Sequence, residues 1–235
     1  MIDDSKEFCP AVIVMAKAPR PGKAKTRLQP FLNAKQAGEL AACFFQDTVT
    51  KIKQIAPNLI IAYSPNDGRE FLETLSPGKN LHWIEQQGED LGKRLESVIE
   101  YAEKMNFRPI ITIGTDSPTF PAEYVLKAIE SLESKSADIV LGEAKDGGFY
   151  LIGLQKSVPN LFEGIAWSTP KVFGQTSDNA ERAGLIRLLK LPVWYDVDTP
   201  QDLLFLRDEL WANEEIQIRA PATFHWLLSH SFLFA

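Results

Sequence analysis

Short apolar runs alternate with stretches of helical periodicity along most of the chain. Residues 10–16 (PAVIVMA) are continuously apolar, which suits a strand buried on both faces of a parallel sheet. Over residues 33–53, Leu40, Cys43, Phe44, Val49 and Ile52 recur at helical spacing and predict the first crossover helix. Residues 59–63 (LIIAY) predict a second strand, 67–75 a short helix, and 81–85 (LHWIE) a third strand. Residues 90–105 carry Leu91, Leu95, Val98, Ile99 and Ala102 on one helical side, with Asp90 placed to cap them. Strands follow at 109–114 (PIITIG), 138–142 and 149–154, with a helix over 121–132 that has proline in its first turn. A weaker helical pattern covers 169–183, a last strand 185–197, and a last clear helix 200–211. Strands alternating with helices predict a mainly parallel sheet flanked by helices, in one domain spanning 1–235 with its core over about 11–212. Residues 213–235 are apolar enough (Phe224, Trp226, Leu227, Leu228, Phe232, Leu233, Phe234) to dock, either on the domain itself or on a second copy as a homodimer contact.

Composition narrows the function classes. A formal net charge of −6 argues against a general nucleic-acid binder and makes any local basic cluster informative. Two cysteines, Cys9 and Cys43, form no CxxC and no disulfide framework. The acidic start MIDDSKEFCP does not read as a signal peptide, and no apolar run approaches the roughly 20 residues of a membrane span. The expectation is a cytoplasmic protein. The three histidines, His82, His225 and His230, are too scattered for a zinc cluster, and neither GxSxG nor a GxGxxG after the first strand is present.

Against that acidic background, Lys17, Arg20, Lys23, Lys25 and Arg27 fall within eleven residues, with Gly22 and Thr26 among them. The loop joins the first strand to the first helix, the place where open α/β sheets bind ligands. Its cations can neutralise phosphate oxygens, while Gly22 allows a close backbone approach. The Walker spacing is absent, so a solvated basic loop is the competing reading. Thr115 and Asp116 follow the strand IITIG in GTDSPTFP. There a carboxylate either holds Mg²⁺ or Mn²⁺ together with substrate phosphates or caps the next helix.

EAKDGGFYLIGL places Asp146, Gly147 and Gly148 before a strand, either as a hairpin turn or as a place where the glycines admit a ligand and Asp146 meets a metal or acceptor. In YDVDTPQDL, Asp198 is the better candidate of the Asp196/Asp198 pair for a second metal carboxylate, with helix capping as the alternative. Gly88 and Arg94, in QGEDLGKRL, bracket a helix start that either meets an anion or is simply capped. Trp167, Ser168 and Thr169 form either an acceptor wall or a buried tryptophan beside a helix cap.

Taken together, VMAKAPRPGKAKTRL, GTDSPTFP, VLGEAKDGGFYLIGL, WST and DVDTPQDL resemble, in order, a bacterial family of glycosyltransferase-A-like proteins in the nucleotide-diphospho-sugar transferase superfamily. The likeness covers roughly residues 11–210. KTRL, DGG and DVDTPQDL are also similar to the phospholactate guanylyltransferases, which transfer a nucleotidyl group. The resemblance implies a three-layer α/β/α sandwich with a mostly parallel sheet and a divalent metal at Asp116. The chain has GTDSP where glycosyltransferases have DxD, so a second carboxylate has to come from Asp146 or Asp198. The first loop also departs from the GxGxRM form of sugar nucleotidyltransferases, which leaves base specificity open.

These readings lead to a metal-dependent transferase that moves a sugar from a nucleotide-diphospho-sugar to an unknown small-molecule acceptor. Asp116 and Asp146 would act at the reacting centre, and Lys17, Lys23 or Arg27 would help neutralise the leaving diphosphate. Two alternatives stand beside it: a nucleotidyltransferase releasing pyrophosphate, and a non-catalytic nucleotide-binding regulator.

Overall fold

A computed structural model describes residues 9–29, 31–76 and 81–234. In chain order the strands and α-helices are β1 (Ala11–Lys17), α1 (Ala34–Ile55), β2 (Asn58–Ser64), α2 (Arg69–Leu75), β3 (His82–Glu85), α3 (Leu91–Lys104), β4 (Ile110–Ile113), α4 (Ala122–Glu133), β5 (Ile139–Ala144), β6 (Phe149–Leu154), α5 (Val172–Arg182), β7 (Leu188–Trp194), α6 (Pro200–Ala212), α7 (Glu214–Arg219) and α8 (Pro221–Ser229). The strands form one seven-stranded sheet in the order β3-β2-β1-β4-β6-β5-β7. Only β6 runs against its neighbours β4 and β5; every other pairing is parallel. The expected mostly parallel α/β architecture is what the chain adopts.

The alternation of side chains along a strand supplies both faces of the sheet. Val12 and Val14 of β1 face a core with Phe45, Val49 and Ile52 of α1 and Val125 of α4. Ala11 and Ile13 face the opposite core, built with Leu95, Val98 and Ile99 of α3 and Phe173 of α5. Both faces are buried, which is why β1, β2 and β4 read as continuous apolar runs. A third core joins Leu40 and Phe44 of α1 to Leu203, Leu206 and Leu210 of α6 and to Trp226 and Leu227 of α8.

That third core takes in Trp226 and Leu227 with Phe224, Leu233 and Phe234 packed against it, so much of the apolar stretch after 212 docks on its own chain, while Leu228 and Phe232 stay exposed. Asp47 of α1 fixes the docking. Its carboxylate accepts the amides of Ala222 and Thr223 at 2.8 and 2.9 Å and the Thr223 hydroxyl, satisfying orphan donors at the start of α8. Burial raises the Asp47 pKa, and these hydrogen bonds oppose the rise. Among the described residues no helix is long and apolar enough to cross a membrane.

Helix starts follow their local chemistry. Asn33 and Gln36 form a reciprocal capping box on α1, as do Thr199 and Asp202 on α6, while the Asp90 side chain accepts the Lys93 amide on α3. The last strand is shorter than the apolar pattern predicts, ending at Trp194. Tyr195 is buried by a different partner set, with its hydroxyl bonded to Thr119 and Glu209.

Candidate functional site

At the carboxyl edge of the parallel strands lies a cleft of about 750 Å³, within the usual range for a small-molecule site. β1 leads into it through Lys17. The following loop turns at Gly22 (φ 74°) and reaches Lys25 in the left-handed region (φ 46°, ψ 43°), then makes one 3₁₀ turn, Thr26–Leu28. A lysine in that region costs roughly 1–2 kcal/mol of backbone energy, and here it aims the side chain inward. The Lys25 ammonium stands 2.6 Å from Asp116 Oδ1 and 2.9 Å from Asp198 Oδ1. Its side chain is only 6% exposed, and the Phe44 ring lies 5.6 Å away. Burial works against the charged lysine, but Asp116 and Asp198 outweigh it and hold its pKa above the ordinary value. Arg27 approaches the other Asp198 oxygen at 3.8 Å.

Asp116 and Asp198 come from the ends of β4 and β7, which are separated by two strands in the sheet. A backbone bond from the Val197 amide to the Asp116 carbonyl, 2.9 Å, sews the two loops together. Neither aspartate caps a helix: α4 begins at Ala122, and Thr199 with Asp202 caps α6. Of the two readings open for each residue, capping falls away. Asp196, two residues before Asp198, also lines the cleft and accepts a hydrogen bond from Ser117 Oγ. Burial pushes its pKa up to about 6; the Ser117 hydrogen bond pulls the other way, and the nearby Asp116 adds to the rise.

The opposite wall is built from the β5–β6 hairpin and the segment before α5. Asp146 Oδ1 accepts the Gly148 amide at 2.9 Å, so DGG is a hairpin turn that also lies on the cleft. The space beside Gly147 (φ 86°) is taken by Pro170, whose carbonyl oxygen would sit 2.4 Å from an added Cβ. Its lack of a side chain serves packing between the two wall segments. Trp167 lines the cleft edge-on to Phe149, ring centroids 6.4 Å apart, and beside Phe162. Ser168 and Thr169 continue that wall, and the Thr169 hydroxyl donates to the Ala166 carbonyl at 2.7 Å.

The sequence-derived candidates divide by position. Lys17, Lys23, Lys25, Thr26, Arg27, Arg94, Thr115, Asp116, Asp146, Gly148, Trp167, Ser168, Thr169 and Asp198 line one cleft. Arg20 does not: its guanidinium is drawn to Asp67 (2.9 Å) at the other side of the loop. Gly22 serves the turn, with nothing within 4 Å of an added Cβ. Gly88 (φ 138°) is packed under α3, where a Cβ would meet Lys93 and the Arg94 amide, and its carbonyl accepts from Arg94 Nε at 3.1 Å. Ser117, Phe149, Tyr150 and Gln86, not singled out from sequence, also line the cleft, as does Asp196, which the sequence reading set behind Asp198. Gln86 donates to the Ala62 and Ala16 carbonyls at the ends of β2 and β1. The spacing of Asp196 and Asp198 at positions two apart was the sequence signal that put both on the cleft.

With this geometry established, comparison with known proteins places the chain. The family described as "Uncharacterized protein conserved in bacteria (DUF2064)" matches residues 48–169. The chain belongs to this family. A crystal structure from Desulfovibrio desulfuricans G20, provisionally described as a nucleotide-diphospho-sugar transferase, superposes with a TM-score of 0.88 at 32% identity, covering 97% of both chains. The 2-phospho-L-lactate guanylyltransferase of Methanobrevibacter smithii is 26% identical over 127 residues, so the match spans 54%, about half, of that relative's length. CMP:2-keto-3-deoxy-manno-octonic acid synthetase complexed with CTP shares the fold, with a TM-score of 0.56 and 13% identity over 86% of this chain and 99% of that one. The family member thus has the fold of the nucleotide-diphospho-sugar transferase superfamily.

Proposed function

We propose that the protein is a nucleotidyltransferase that joins a nucleoside monophosphate unit to a small anionic acceptor and releases pyrophosphate. The charge lining of the cleft carries this reading. Lys17, Lys23, Lys25, Arg27 and Arg94 face it together with Asp116, Asp146, Asp196 and Asp198, and no histidine is among the lining residues. Lys17 at the end of β1 and three cations of the loop after it suit the polyphosphate of a nucleoside triphosphate, while Arg94, on α3, is a separate anchor for an acceptor phosphate or carboxylate. An ionised acceptor oxygen attacks the α-phosphorus, the bond to the bridging oxygen breaks, and the pair of electrons leaves with pyrophosphate. Such an acceptor needs no proton removed, which matches a cleft whose carboxylates are already engaged by Lys25, Ser117 and the Gly148 amide. The positive loop stabilises the charge gathering on the leaving group.

Asp116 and Asp198 fit a cation, since they already bracket an ammonium group. Among the described residues no cluster of three or more His, Cys, Asp or Glu side chains is arranged to hold a metal, so the pair suits an ion whose remaining ligands come from phosphate and water. A divalent cation there would neutralise phosphate oxygens. The named activity of the Methanobrevibacter relative and the CTP complex of the synthetase support nucleotidyl transfer. The description of the Desulfovibrio protein favours a second reading, sugar transfer with Asp146 positioning an acceptor hydroxyl.

The products separate the readings. Incubation with each common nucleoside triphosphate or nucleotide-sugar, Mg²⁺, and phosphorylated or carboxylated acceptors, followed by ³¹P NMR, is expected to show pyrophosphate and a new phosphoanhydride from a phosphate acceptor or mixed anhydride from a carboxylate. A nucleoside diphosphate formed from a nucleotide-sugar, with no pyrophosphate from any triphosphate, would replace this proposal with glycosyl transfer. Binding without turnover would leave the nucleotide-binding regulator.

A further inference from the structure

We infer that Lys25 holds the cation position between Asp116 and Asp198 in the ligand-free protein and exchanges out of it when nucleotide and divalent cation bind, a step that rests on the nucleotide-binding reading above. The ammonium contacts one oxygen of each carboxylate, at 2.6 and 2.9 Å. Phe44 lies on it at 5.6 Å, so it is enclosed by two acids and a ring face. A dication cannot share that gap with an ammonium, because two like charges a few ångströms apart repel, and the Lys25 ammonium is itself shielded from water. For one cation to bridge the two oxygens that Lys25 now joins, the Lys25 Nζ has to leave.

The same cleft offers it a destination. Lys17, Lys23 and Arg27 mark where phosphates gather, and the four-carbon stem of Lys25 can swing from carboxylate to phosphate without unfolding the loop. The exchange works in both directions. Phosphate that draws Lys25 away leaves Asp116 without its cation and Asp198 with Arg27 alone, at 3.8 Å, which strengthens cation binding. A cation on the aspartates frees Lys25 for phosphate. By linkage each ligand then favours the other by the same factor. Lys25 is in this sense a positioning residue whose charge is lent from one partner to the other.

The test uses the nucleotide-free protein and Mn²⁺ alone, with free Mn²⁺ read by electron paramagnetic resonance. Lys25→Met and Lys25→Gln are expected to bind Mn²⁺ about tenfold more tightly than wild type or more, a typical size for coupling between sites. Lys23→Met, which removes the same charge without touching the carboxylates, is expected to gain far less, and adding Asp198→Asn to Lys25→Met abolishes the gain. Circular dichroism confirms that each variant is folded. In wild type, which needs no variant, acetic anhydride labelling of Lys25 mapped by mass spectrometry is expected to accelerate several-fold on adding Mg²⁺. Equal Mn²⁺ affinity for wild type and both Lys25 variants, or Lys25 labelling indifferent to Mg²⁺, overturns the inference. No nucleotide enters these measurements, so a failure to find a nucleotide substrate is a separate result that bears on the proposed function alone.

Discussion

The Lys51 ammonium of α1 lies 2.7 Å from the Phe120 carbonyl, and it reaches the Pro118 carbonyl at the same distance. It also sits 4.4 Å from the centre of the Phe120 ring. One buried side chain thus holds, from behind, the loop that carries Asp116. Burial lowers its pKa to about 7, with Asp47 pulling in the opposite sense.

Lys51→Met should orphan two carbonyls at once. At about 1–3 kcal/mol for each unsatisfied buried group, partly relieved by water, a total loss of about 2–4 kcal/mol is expected. The midpoint of urea unfolding measures it, and an unchanged midpoint would show that the loop does not depend on this contact.

Asp196 should make stability depend on pH in a definite direction. Its folded pKa is raised to about 6 by burial, against about 3.9 for an unfolded aspartate. Between those values the native state binds more protons than the unfolded one. The contribution is therefore fully present below about pH 4 and is lost as pH rises through 6. Asp196→Asn removes the titration and keeps an acceptor for Ser117. Its stability relative to wild type is expected to climb across that window to about 1–3 kcal/mol and then level off. Paired urea melts from acid to neutral pH would read this, and a flat difference would contradict it.

Gly147 and Gly174 form a contrasting pair. Alanine at 147 meets Pro170 backbone atoms at 2.4 and 2.6 Å on a residue with φ 86°, whereas alanine at 174, within α5, meets nothing within 4 Å. Gly147→Ala is expected to lose about 1–3 kcal/mol through strain, and Gly174→Ala to gain up to about 1 kcal/mol from helix propensity. Differential scanning calorimetry on both variants decides the matter.

Trp167 belongs to the wall opposite the basic loop, so on the proposed nucleotidyl-transfer reading the acceptor should feel its loss more than the nucleotide does. Trp167→Ala is expected to raise the acceptor KM about tenfold while the nucleotide KM changes little, the pattern of lost ground-state contact. An effect confined to the nucleotide KM would move Trp167 to the other side of the site.

Much of the fold was legible because its signals are local. The apolar run at 109–114 and the Asp90-capped helix at 90–105 depend on neighbours a few residues away, and β4 and α3 match them closely. The five motifs also named most of the cleft lining. What could not be read was pairing across distance. Lys25 meets Asp198 over 173 positions, and Arg20 leaves the cleft because Asp67, 47 positions on, competes for it. No periodicity records either contact. Asp196 was in view in YDVD, yet its burial beside Ser117 depends on the loop after β4, a strand not adjacent to β7.

The clasp between Asp47 and α8 has a practical consequence for anyone handling this protein. Asp47 and Phe44 occupy one helix, and Phe44 touches both the Lys25 ammonium and the core that receives Trp226 and Leu227. A chain cut at residue 213, or one whose end is pulled outward by a bulky fusion, loses the helix that satisfies Asp47. The damage would surface far from the cut, as a slack loop after β1 mistaken for an intrinsically inactive protein. Tags therefore belong on the opposite terminus, ahead of β1.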